Sequence, residues 1–260
     1  GGERVSLAAA GLLGSLTNTL LVMNLIYVCF GEQYAAAKEK VFEGFYWVIL
    51  TVIGTNGVIV DETPAEGTSA LLWAPSPGMK GGQAIAEIIF GLTNPSGRLP
   101  ITFPRHAGQL PVYYNQIRGQ HGDRYADLTQ QPLYPFGYGL GYSEFEYESV
   151  TTDRTVYGPE DFIKVLVSVR NTGKRDGVEV VQAYVSDEVT SATWVDQELK
   201  GYARIRIPAG ENRTAVIVIP ASSCSIVTAA GERVVEPGEF ELRIGKSSRN
   251  ILHRVKFVIR

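Results

Sequence analysis

From about Phe162 the period of the chain changes to two: Ile163, Val165, Val167 and Val169 alternate with Lys164, Ser168 and Arg170. A period of two places one set of side chains on each face of an extended strand, so this segment makes a strand with one buried side. The pattern returns at Ala203, Ile205 and Ile207, at Phe240, Leu242 and Ile244, and at Val255, Phe257 and Ile259. Asn171-Thr172-Gly173, Pro208-Ala209-Gly210 and Glu236-Pro237-Gly238 supply turns. Roughly seven short strands at this spacing predict a β-sandwich of the immunoglobulin kind over residues 149–260.

The first 104 residues are built differently. Residues 1–100 hold 13 of the 51 charged residues, as buried elements under a helical cover would. Glu32 to Phe42 reads as a surface helix, Trp47 to Val60 as a buried strand, Ala70 to Trp73 as a short strand. Gly82 to Phe90 reads as a helix with Ala84, Ile85, Ile88 and Ile89 inward and Gly91 at its end. Strand, turn and helix in succession predict part of a three-layer α/β sandwich over residues 1–104. The fold class is thus α/β followed by all-β, with residues 105–148 as an aromatic-rich linker that has no sustained periodicity.

Composition removes several functions. A net charge of −3 lacks the basic excess of a nucleic-acid surface. Leu12 to Phe30 is uncharged, but Gly14, Ser15, Thr17, Asn18, Thr19 and Asn24 are poor lipid-facing residues, so a buried helix and strand fit better than a membrane span. The opening Gly-Gly-Glu-Arg does not read as a secretory leader. Cys29 and Cys224 are far apart and the three histidines form no cluster with them, which excludes structural zinc and leaves one disulfide open. No metal or organic cofactor is implied. A Gly-x-Ser-x-Gly elbow is missing, and Gly245-Lys246-Ser247 sits in a strand pattern without the first glycine of a phosphate loop. His121 reads as a solvated loop histidine, with a catalytic role as the alternative. Asn212-Arg213-Thr214 is a lone glycosylation sequon.

The linker carries the candidate site. Tyr113, Tyr114, Tyr125, Tyr134, Phe136, Tyr138 and Tyr142 crowd together with Arg118, Asp123, Arg124 and Asp127. Aromatic faces beside carboxylates and guanidinium groups suit sugar rings, which have an apolar C–H face and a rim of hydroxyls. Packing of the linker onto its neighbours is the other reading of these aromatics. Arg124, Tyr125 and Asp127 are the candidate substrate-binding residues.

Several long motifs resemble glycoside hydrolase family 3. The run from Gly78 to Gly91, continuing through Asn94-Pro95-Ser96-Gly97-Arg98-Leu99-Pro100-Ile101-Thr102-Phe103-Pro104, resembles that family's second domain, as does Gln109-Leu110-Pro111-Val112-Tyr113-Tyr114. Pro132 to Tyr142 looks like its exit into a fibronectin type III-like domain, with which Asn171-Thr172-Gly173 and Leu199-Lys200-Gly201-Tyr202 also agree. The resemblance covers residues 70–260; residues 8–69 match poorly. It implies a β-glucosidase or β-xylosidase type of hydrolase that removes terminal β-linked sugars with retention, using a carboxylate nucleophile and a carboxyl acid/base. In this family the nucleophile lies on an N-terminal (β/α)₈ barrel, to which nothing in this chain corresponds, so the chain is expected to lack it and to need such a barrel, as a domain or a partner chain. Gly1-Gly2-Glu3-Arg4 resembles the end of the family's Glu-x-x-Asp-Arg pattern, with Glu3 in the aspartate slot. The acid/base glutamate then falls immediately before Gly1, and Glu3 in that role would break the spacing. The alternative to an enzyme is a non-catalytic carbohydrate-binding or assembly module.

Overall fold

The computed structural model describes residues 71–74, 78–117 and 129–260. Packing divides the chain into two compact units, Gly1–Thr93 and Asn94–Arg260. The segments expected at Leu12–Phe30, Glu32–Phe42 and Trp47–Val60 lie outside the described residues.

In the first unit the helix expected from Gly82 runs over Gly81–Ile89 (α1). Ile85 and Ala86 are buried, with Ile88 and Ile89 half-buried. Ala84, expected inward, is exposed: at 100° per residue it lies opposite Ala86 across the line through Ile85, and the buried arc includes Ala86 instead. Leu71 to Trp73, the described part of the run expected from Ala70, form no strand, correcting that expectation. Four apolar residues are too few to define a period, and the run is cut short by Pro75.

The second unit is a β-sandwich. Its strands are β1 (Phe145–Thr152), β2 (Val156–Tyr157), β3 (Phe162–Asn171), β4 (Gly177–Asp187), β5 (Glu198–Ile207), β6 (Asn212–Pro220), β7 (Ile226–Val227), β8 (Arg233–Val234), β9 (Gly238–Gly245) and β10 (Ile251–Ile259). One sheet has the order β1-β3-β6 and the other β2-β10-β9-β4-β5; β7 and β8 pair as a small hairpin. All pairings in the large sheets are antiparallel except that of β2 with β10. The alternation in β3 is realised in full: Ile163, Val165, Val167 and Val169 are buried, facing Val181, Ala183, Phe240, Leu242, Ile244 and Phe257 of the opposite sheet in one core. Each large aliphatic or aromatic side chain taken out of water there stabilises the fold by about 1.5–3 kcal/mol.

Three devices hold the rims of the sandwich. Asn171 is fully buried; its Nδ2 donates to Arg175 O (2.7 Å) and Ile207 O (2.9 Å), and its Oδ1 accepts from Gly173 N (2.9 Å). One amide therefore ties the β3–β4 turn to the end of β5. Gly201, in the middle of β5, lies where a Cβ would stand 2.6 Å from Ile217 of β6, so only glycine lets the two strands approach at this corner. At the third rim, β1 and β10 belong to different sheets. They are joined by side chains from β10 and the turn before it: Lys246 Nζ of the β9–β10 turn donates to Phe145 O (2.6 Å), and His253 Nε2 of β10 bonds Tyr147 O (2.9 Å).

Replacing Asn171 with Ala strands two buried carbonyls, each costing about 1–3 kcal/mol. Asn171→Ala is expected to lower unfolding stability by about 2–4 kcal/mol, read from the midpoint of a urea transition; a loss below about 1 kcal/mol would show that the carbonyls find other donors.

Candidate functional site

Strand β4 dictates how the aromatic segment is placed. Its inner residues Val181, Ala183 and Val185 join the core, yet its outer residues Gln182, Tyr184 and Ser186 are buried as well. The described residues between 98 and 142, an aromatic strap ahead of β1, cover that outer face. Tyr114 stacks on Phe136 (centroids 4.2 Å apart) and meets the Tyr184 ring edge-on at 5.9 Å. The Tyr114 hydroxyl oxygen accepts from Leu199 N (3.1 Å), and Ser248 N donates to Phe136 O (3.0 Å). Burial pushes the Tyr114 and Tyr184 phenols above their ordinary value, so both are neutral donors and acceptors at any physiological pH.

Gln182 is the hinge of this contact. Its Nε2 donates to Gly137 O (2.9 Å) and Lys246 O (2.8 Å), while Tyr184 Oη donates to its Oε1 (2.6 Å). Gly137 has φ of +80°, and a Cβ there would collide with Gln182 Oε1 and lie 2.9 Å from Tyr184 Oη. The glycine inside Pro135-Phe136-Gly137-Tyr138 is thus required twice, by its conformation and by its neighbours.

The segment has its own fastenings. Phe103 and Tyr134 form an antiparallel bridge, and Tyr134 stacks on Tyr138 at 5.4 Å. Leu99 and residues 137–138 exchange backbone bonds of 2.8 Å. Buried Gln109 accepts from Arg105 N (2.6 Å) and donates to Thr129 O (2.8 Å) and Gln131 O (3.3 Å). Gln116 O accepts from Asp196 N (2.8 Å), and Ile117 bridges Val195.

A charge locks the same segment to the sandwich mouth. Glu179, on β4, is only 1% exposed. Arg98 Nη2 bonds its Oε2 at 2.7 Å and Tyr147 Oη donates to its Oε1 at 2.8 Å. Desolvation, with Glu179 alongside, raises the Tyr147 phenol far above its ordinary value. Cys224 is a free, buried thiol, pushed up to about 11 by desolvation, and so unreactive.

Of the crowded aromatics, Tyr114, Tyr134, Phe136 and Tyr138 are engaged with one another or with the sandwich. Tyr113 and Tyr142 remain 50% and 44% exposed, the latter with the Arg175 guanidinium 5.8 Å from its ring. Glu3, His121, Arg124, Tyr125 and Asp127 lie outside the described residues. Among the described residues no three His, Cys, Asp or Glu side chains converge as metal ligands, and no helix is long and apolar enough to cross a membrane. Sequence reading missed Gln109, Gln182 and Glu179 as organising residues. Only Glu179 carried a signal, as a lone acid in the inward register of an apolar strand.

What a sandwich bearing an aromatic strap belongs to is answered by direct comparison with known proteins. Residues 32–142 match the glycosyl hydrolase family 3 C-terminal domain and residues 179–248 the fibronectin type III-like domain. The chain belongs to glycosyl hydrolase family 3. The first match extends the resemblance upstream of residue 70, where the sequence motifs become legible, to residue 32. A periplasmic beta-glucosidase of Salmonella typhimurium is 37% identical over 184 residues, covering 67% of this chain and 24% of the relative. A beta-xylosidase of Formosa agariphila is 38% identical over 192 residues, 71% of this chain and 26% of the relative. The solved structure of a beta-glucosidase of intestinal bacteria, involved in saponin metabolism, has 56% identity and a TM-score of 0.72, covering 76% of this chain and 27% of that one. The chain spans about a quarter of the length of these relatives.

Gly137→Ala is expected to destabilise the second unit by about 2–4 kcal/mol, from overpacking against Gln182 and a left-handed backbone. The measurement is denaturant unfolding with limited proteolysis between residues 98 and 140; an unchanged midpoint and an uncut strap would contradict the double requirement.

Proposed function

We propose that the chain is the C-terminal portion of a retaining β-glycosidase that hydrolyses terminal β-linked glucose or xylose from oligosaccharides and glycosides. The observation that carries this reading is the tandem match. Both domains align in order with proteins described as beta-glucosidases and beta-xylosidases, over the corresponding quarter of their lengths. The nucleophile then resides on a (β/α)₈ barrel of roughly 250 residues, supplied outside these residues. Retention calls for two carboxyl groups about 5–5.5 Å apart, one attacking the anomeric carbon and one protonating the leaving oxygen.

Within this chain, Arg124, Tyr125 and Asp127 bind the sugar. Asp127 accepts from sugar hydroxyls, Arg124 donates to them, and Tyr125 lies against the C–H face. Support comes from the adjoining chain. Residues on either side of this stretch, Gln116 and Ile117 before it and Thr129 and Gln131 after it, are hydrogen-bonded to fixed elements.

A charged hydrogen bond to substrate contributes about 1.5–3 kcal/mol, roughly a 10- to 150-fold change. In the complete enzyme, Asp127→Ala is expected to lower kcat/KM on aryl β-glucosides and β-xylosides by that factor, with the unfolding midpoint unchanged; unchanged kinetics on both would remove Asp127 from the site. Turnover of the same glycosides by the isolated 260-residue chain would overturn the placement of the nucleophile on a separate barrel.

A further inference from the structure

Thr102 and Ser248 come from distant parts of the second unit, the aromatic strap and the β9–β10 turn. Both are buried, at 9% and 3% exposure. Neither Thr102 Oγ1 nor Ser248 Oγ has a hydrogen-bond partner among the described residues. Both residues line the same recess, whose lining also includes Val112, Pro132, Pro135, Gln116 and Gln130. The space open to the centre of a water molecule there, about 10 Å³, is close to what one water needs.

From this coincidence of two orphan hydroxyls with a one-molecule recess, the structure assigns a site for one internal water, bridging Thr102 Oγ1 and Ser248 Oγ. A buried hydroxyl left without a partner costs about 1–3 kcal/mol, and a water in a polar recess makes about three hydrogen bonds. Two hydroxyls plus an amide group from Gln116 or Gln130 provide that number. Ser248 is already the strap's anchor: its N–H donates to Phe136 O (3.0 Å) and its carbonyl accepts from Gln197 Nε2 (2.8 Å). The water extends that anchorage to the Thr102 end of the strap, joining it to the β9–β10 turn through solvent where no direct bond exists. The site stands on packing alone and is independent of the catalytic reading.

The sign of a mutational effect separates the alternatives. Where water bridges the hydroxyls, Thr102→Val or Ser248→Ala leaves it short of a partner, and each variant unfolds about 2–4 °C lower. The double variant then loses less than the sum of the two, because both act on one shared molecule. Where the recess is dry, deleting an unpaired buried hydroxyl removes a penalty, and each variant unfolds at the same or a higher temperature. A crystal structure of the full chain at 1.5 Å or better provides the second reading. Density for an ordered oxygen 2.7–3.2 Å from both Oγ atoms is expected; a clean map without it, or thermal shifts that are upward or additive, overturns the assignment.

Discussion

A carboxylate inside a sandwich is tolerable only when something neutralises it, and Glu179 at the mouth of this one is met by Arg98 and Tyr147. Breaking a buried ion pair by removing one partner costs about 3–5 kcal/mol, because the survivor stays buried and uncompensated. Since Arg98 lies in the strap and Glu179 on β4, the sandwich is not finished when its ten strands are paired. It is finished when the strap has closed over β4, which explains why packing groups residues from Asn94 onward with the strands.

This dependence also explains what was legible in the sequence. Strands β3, β5, β9 and β10 have one wet and one dry face, and their alternation announces them directly. Strand β4 does not alternate in burial: Gln182, Tyr184 and Ser186 look solvent-facing by polarity but are sealed beneath Tyr114 and Phe136. Gln182 directs its amide to the strap's Gly137 O and Ser186 its hydroxyl to Asp196 O, requirements created by tertiary structure and absent from any local period. In β1 the register slips between Tyr147 and Ser149, which breaks the period-two reading there. The short run Leu71–Trp73 fails for the opposite reason, having apolar residues but too little length.

The candidate site was legible in part. The crowd of aromatics was visible, and the packing reading holds for four of the rings, while Tyr113 and Tyr142 stay at the surface. What composition could not convey is that glutamine does the fastening. Gln109 and Gln182 each gather several backbone groups with one amide, and a glutamine in a Gly- and Pro-rich stretch carries no periodic or charge signature to mark it. Glycines were the better guide, since Gly137 and Gly201 sit where neighbours leave no room for a Cβ.

The side chains that join β1 to β10 have a bearing on solubility. A strand at a sheet margin normally offers a row of unmet carbonyls to any other extended chain, and proteins usually blunt that invitation with charges, prolines or bulges. Here Lys246 and His253 occupy the carbonyls of Phe145 and Tyr147 from across the sandwich, and a bulge follows immediately. An incoming strand seeking to template itself along this margin finds its first acceptors taken and the next out of step. The same bonds that close the fold thereby blunt this one margin against edge-to-edge pairing in the folded protein.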